Sequence, residues 1–133
     1  MLLSHYLAVG IGGASGAILR VLLVGLIPST LLGIPIPIII VNIIGCTVMG
    51  ALAELMALVG SEPELARYFW VSGFLGGFTT FSAFALDFGG LVEKEQFSIA
   101  VAYVAATIIF SLVGFFAGMK GIALIIQTLQ PHG

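Results

Sequence analysis

Apolar residues fall along this chain in four long runs, separated by prolines and short polar clusters. The first run extends from about Leu3 to Ile27 and stops at Pro28-Ser29-Thr30. The second follows Pro35 and Pro37, covers about 36–59, and gives way to Gly60-Ser61-Glu62-Pro63-Glu64. The third runs from about Leu65 to Leu91. Glu93-Lys94-Glu95-Gln96 divides it from the fourth, which spans about Phe97 to Ile126. A helix crosses the hydrocarbon of a bilayer with about 20 predominantly apolar residues, so each run predicts one crossing. The loops are short, and the chain reads as a single all-α domain of four transmembrane helices over 1–133, with no extramembrane catalytic domain. No basic residue precedes the first run, which is too long for a signal-peptide core, so it reads as a retained helix.

Composition agrees with that pattern. Of the 133 residues, 60% are hydrophobic and 8% charged, more apolar surface than a soluble domain of this size can hide. Lipid is the solvent this chain expects. Its net charge of -2 is too weak for nucleic-acid binding. Cys46 is the only cysteine, which excludes an internal disulfide and a cysteine metal cluster.

Four crossings place both termini on one side. Arg67 and Lys120 then fall on that side and Arg20 and Lys94 nearer the other, so the basic residues show no bias that would orient the chain. A chain without bias inserts both ways up, which makes an antiparallel pair of identical chains available. Two glycine pairs, Gly12 with Gly16 and Gly114 with Gly118, have the small-xxx-small spacing that lets backbones approach.

The candidate chemistry lies inside the spans. Gly73-Phe74-Leu75-Gly76-Gly77-Phe78-Thr79-Thr80-Phe81-Ser82-Ala83-Phe84 sits in the middle of the third run, where a glycine pair followed by two threonines suits a continuous helix poorly. The third helix is therefore expected to break mid-membrane, freeing carbonyls that can hold a small cation. The alternative is an intact helix whose hydroxyls bond preceding carbonyls. Phe81 and Phe84 share a face, and ring edges attract an anion without trapping it, although such rings also serve as plain packing. Tyr103, Thr107 and Ser111 recur at four-residue intervals in the fourth span, as a polar track or as interhelical hydrogen-bonding groups. Asn42 needs a partner or a pore in the second span. Arg20 either snorkels to the headgroups, anchors a helix terminus, or attracts anions at a vestibule. Asp87, three residues beyond Phe84, could border an ion path, whereas Glu54 reads as interfacial.

No catalytic grouping is visible. His5 and His132 are terminal, no carboxylate pair lies at depth, and an enzyme is not expected. Two other classes compete with a channel. A small proton-coupled multidrug exporter also has four spans but needs a carboxylate at depth, and the first span has none. A non-conducting assembly subunit shares the small-residue interfaces but needs neither the break nor the hydroxyl stripe.

Four motifs resemble the bacterial fluoride channel family (Fluc, or CrcB), over nearly the whole chain. They are Gly12-Gly13-Ala14-Ser15-Gly16-Ala17-Ile18-Leu19-Arg20, Val41-Asn42-Ile43-Ile44-Gly45, the glycine-threonine-phenylalanine segment of the third span, and the hydroxyl stripe of the fourth. The resemblance implies passive, selective fluoride export across a bacterial inner membrane by an antiparallel, dual-topology homodimer with two pores. It further implies a structural sodium ion at the dimer centre, held by the carbonyls of Gly76 and Thr79. Phe81, Phe84, Asn42, Tyr103, Thr107, Ser111 and Ser82 would line the fluoride pore, with Arg20 and Asp87 at its vestibule. Two positions depart from the family: Ala83 stands where a threonine is usual, removing a hydroxyl from the filter segment, and Asp87 where a glutamate is common.

Overall fold

In a computed structural model, residues 2–60 and 63–130 are described. The expected polar break at Ser61 and Glu62, and the terminal His132, lie outside them. Among the described residues, four helices are long and apolar enough to cross a membrane. Helix α1 (Leu3–Leu26) leads through a tight hairpin to α2 (Pro37–Val59). Helix α3 (Glu64–Arg67) opens the third crossing, which continues as a π-helical stretch (Tyr68–Leu75) and α4 (Gly76–Phe78), then resumes as α5 (Ser82–Glu93). The fourth crossing is α6 (Phe97–Leu129). At 33 residues it is about 50 Å long by the helical rise of 1.5 Å per residue, more than a hydrocarbon layer of about 30 Å requires.

Several ends have local causes. Between α1 and α2, β1 (Thr30–Leu31) pairs antiparallel with β2 (Ile34–Pro35). Leu32 and Gly33 make the turn at φ 52° and 84°, the two positive values of a type I′ hairpin. Proline occupies the first turn of α2, where its missing N–H costs nothing, and Gly60 ends the helix at φ 70°. Helix α5 closes with Gln96 N–H on the Leu91 carbonyl and Glu95 N–H on that of Val92. That is a Schellman pattern with Glu95, at φ 59°, in the place usually taken by glycine.

The crossings pack in pairs, α1 against the Glu64–Phe78 half of the third crossing and α2 against α6. Backbones meet at glycines in both pairs. A Cβ on Gly16 would strike the Phe74 carbonyl and one on Gly77 that of Gly13; a Cβ on Gly118 would strike the Thr47 carbonyl and one on Gly50 that of Phe115. Lipid supplies no hydrophobic drive between helices, so such close approach, with its dispersion contacts, supplies much of the cohesion. Large apolar side chains are exposed along the outer faces, among them Leu22, Val101, Ile109 and Phe116. At the end of the α1–α3 pair, His5 is buried, accepts the Leu2 N–H at Nδ1, and lies edge-on to Tyr68 with Nε2 3.7 Å from Glu64.

Candidate functional site

The chain leaves helical geometry just after Phe78. Thr79 is extended, with φ -79° and ψ 155°, and helix returns at Ser82. In an unbroken helix the Thr80 N–H would bond to the Gly76 carbonyl. Instead it donates to Asn42 Oδ1 at 2.9 Å, while Asn42 Nδ2 donates to the Thr80 carbonyl at 3.0 Å. One amide side chain thus takes both backbone groups of one residue and deprives the Gly76 carbonyl of its helical partner. Thr80 also starts the next helix: its Oγ1 accepts the Ala83 N–H at 3.2 Å and lies 3.3 Å from Ser82 Oγ.

Against this interruption lies an open cleft of about 510 Å³. Asn42 and Cys46 line it from α2, Gly76, Thr79, Thr80 and Phe81 from the interruption, Phe84 from α5, and Thr107, Ile108, Ser111 and Leu112 from α6. No side chain with a formal charge lines it. Phe81 is 79% exposed and its ring stands 5.2 Å from that of Phe84 at 47°. Phe84 in turn stacks on Tyr103 at 5.3 Å and 22°, so three rings run inward from the cleft mouth.

The hydroxyl stripe of α6 is not a set of equivalent donors. Tyr103, at 0% exposure, turns sideways and donates to Asp87 Oδ2 at 2.9 Å. Thr107 donates to the Tyr103 carbonyl of its own helix at 2.7 Å. Ser111 Oγ is buried and, among the described residues, has no hydrogen-bond partner. Phe81, Phe84, Asn42, Thr107, Ser111, Gly76 and Thr79 therefore meet at one cleft, whereas Tyr103, Ser82, Arg20 and Asp87 are not among its lining residues. Asp87 borders a separate groove with Thr30, Lys94 and Gln96.

Arg20 meets the end of a half-helix in the third crossing. Its Nε donates to the Gly77 carbonyl at 3.2 Å, placing a cation at the carbonyl end of the first half-helix, where the backbone dipole is negative. Sequence reasoning passed over Thr80 as a site residue and Cys46 as a cleft residue. Cys46 follows Asn42 by four residues, a spacing that puts the two on one helical face.

The Tyr103–Asp87 bond is the main polar tie between α5 and α6, and Tyr103→Phe isolates it by keeping the ring on Phe84. The loss expected is about 1–3 kcal/mol, the range for a buried donor removed from a carboxyl acceptor. Equilibrium unfolding in detergent checks it, and in a double-mutant cycle Asp87→Ala should add little once the phenol is gone.

Residues 7–119 match the family described as CrcB-like protein, Camphor Resistance (CrcB). Several relatives carry the name fluoride-specific ion channel FluC. That of Rhizobium meliloti is 42% identical over 120 residues, 88% of this chain and 94% of the relative. That of Cereibacter sphaeroides is 41% identical over 124 residues, 91% and 96% of the two chains, and that of Rhodospirillum centenum 45% over 114, 85% and 90%. With its four crossings and a match of this length, the chain belongs to the CrcB-like family of multi-pass membrane proteins.

Proposed function

We propose that this protein is a fluoride-selective ion channel of the bacterial inner membrane, giving passive export and no catalysis. The observation that carries the reading is the uncharged cleft at the interruption of the third crossing, lined by the Phe81 and Phe84 rings and by Ser111, whose hydroxyl is unpaired among the described residues. The relatives named as fluoride-specific channels support it over most of their length.

Fluoride is small and holds its water tightly, so a path for it must replace that water with donors and still let the ion go. Ser111 offers a free O–H. Asn42 Nδ2 has a second N–H beyond the one given to Thr80. Ring edges of Phe81 and Phe84 add weak positive potential without a full charge that would hold the ion. Arg20, bonded to Gly77, offsets the carbonyl end of the half-helix and keeps local negative potential from repelling an anion. HF that crosses the bilayer dissociates inside the cell, and a negative-inside potential then drives the anion out.

The working unit in this reading is an antiparallel pair of identical chains with two pores, compatible with the unbiased basic residues. In this reading the interruption lies at membrane depth, where irregular backbone must be received by protein or water. Sodium fits the donors present: the Gly76 carbonyl has lost its helical partner to the Asn42 clamp, and the extended Thr79 carries a second carbonyl beside it. A two-fold axis would double those two oxygens. When bound, the ion would supply charge that ties the two chains together.

The test is efflux from liposomes loaded with potassium fluoride, followed by a fluoride electrode after potassium permeability is added, beside chloride-loaded vesicles. Fast fluoride release with chloride retained is expected. Folded protein that releases no fluoride overturns the proposal, and drug–proton exchange in the same vesicles would favour the exporter.

A further inference from the structure

A second opening, of about 570 Å³, lies between α2 and the first half of the third crossing. Met49, Ala53 and Met56 wall it from α2, and Val71, Arg67 and Glu64 from the other side. These walls belong to different packing pairs, since α2 packs on α6 and the Glu64–Phe78 half on α1, so a seam between the pairs stays open here. The opening continues the central cleft. Cys46 lines the cleft and Met49, three residues on, lines the opening, an advance of about 4.5 Å at the helical rise. Opposite, Gly76 lines the cleft and Val71 the opening, and a Cβ on Gly76 would stand 3.7 Å from the Val71 carbonyl. Cleft and opening therefore share both walls and form one groove.

Charge is ordered along that groove. Glu64 stands at the rim, its side chain 72% exposed, with Oε2 3.7 Å from His5 Nε2 on α1. Arg67 follows one turn deeper, is exposed, and makes no ion pair among the described residues. Beyond it, Val71, Met49 and the cleft lining carry no formal charge, and Glu54 is not among the residues that line the opening. The innermost charge of these lining residues is thus a cation.

We propose that this groove is an anion vestibule of the ion path and that Arg67 is the residue that draws the anion into it. The inference rests on the channel reading for the ion, fluoride, and not for the sign of the groove's field. Low-dielectric walls focus the field of a charge between them and raise the local concentration of the opposite ion. Arg67 precedes Gly76 by nine residues, so it enriches the anion above the cleft without trapping it there. Glu64 opposes this from the rim, where solvent screens it more.

The test compares a sulfonate and a trimethylammonium methanethiosulfonate reagent on the full chain in uncharged detergent, with Ala53→Cys as target and Cys46→Ser as background. At about 10 mM ionic strength, where the Debye length is about 30 Å, Arg67→Gln is expected to slow the sulfonate about threefold and to speed the cation, the order expected of one unit charge acting through water. Glu64→Gln should do the reverse. Both effects should vanish near about 1 M salt, where that length is about 3 Å. Reagent rates indifferent to Arg67→Gln overturn its role. A target thiol that reacts with neither reagent shows the groove filled by lipid or protein and overturns the vestibule. Fluoride efflux from liposomes is read separately: it should fall about threefold in Arg67→Gln, return in Arg67→Lys, and drop when the thiol of Ala53→Cys is modified. Efflux unchanged by that modification puts the ion path elsewhere and overturns the proposal. The expected reagent rates in a protein that releases no fluoride leave the charged vestibule standing and sink the channel reading.

Discussion

Fluoride efflux through Phe81→Ile/Phe84→Ile is expected to fall to the leak of protein-free vesicles while the chain remains folded. Isoleucine keeps most of the apolar bulk and removes the ring, so the pair separates an electrostatic role from packing. The two positions differ in what they cost. Phe81 is 79% exposed, and its replacement should hardly move stability. Phe84 is buried between Phe81 and Tyr103, so losing its two aromatic contacts should cost about 1–3 kcal/mol, at 0.5–1.5 kcal/mol for each pair. Phe81→Ile alone thus becomes the cleaner measurement: a large loss of efflux at an unchanged unfolding midpoint would assign the effect to the ring edge. If the double variant conducts at the wild-type rate, the rings are packing and the ion takes another course.

How much of this could be read from sequence depends on the range of the force involved. Four crossings were legible because lipid imposes a length and an apolar composition on every span, a constraint that acts locally. Helix α6 runs on to Leu129, past the span end expected near Ile126, since no helix breaker stands between Gly121 and Pro131. The hairpin at Thr30–Pro35 was hidden because it needs Leu32 at positive φ, which no propensity for leucine announces. Long-range partners were the harder case. Asn42 was bound to need a partner at depth, but only the fold shows that the partner is Thr80, 38 residues away. Arg20 looked free to reach the headgroups because its acceptor, Gly77, lies 57 residues on. The period of four in Tyr103, Thr107 and Ser111 placed them on one face; it could not tell which hydroxyl spends its proton on Asp87, which on its own backbone, and which on nothing. The π-helical Tyr68–Leu75 had no sequence signature beyond a glycine, Gly73, that sits against Gly12 and the Val9 carbonyl.

Replacing Asn42 by leucine is expected to lower stability by about 2–6 kcal/mol and to abolish efflux, because the two backbone groups of Thr80 would be left without partners at about 1–3 kcal/mol each. Leucine nearly preserves the volume, so a cavity contributes little and the loss reports on hydrogen bonds. Relaxation has one obvious route. Freed from Oδ1, the Thr80 N–H can return to the Gly76 carbonyl and extend α4 by a turn. That move would draw Thr80 Oγ1 away from the Ala83 N–H, shift the start of α5, and turn Phe81 out of the cleft. It would also remove the freed Gly76 carbonyl on which the proposed sodium site depends. Unfolding midpoint and efflux, measured together, separate two roles for this amide. Loss of both identifies Asn42 as the clamp that holds the interruption open. A normal midpoint with lost efflux would identify it as a donor to the ion instead. Wild-type values of both would mean that neither bond to Thr80 matters, and that the interruption is held by the packing of Gly77 on Gly13 and of Gly45 on Thr79 alone.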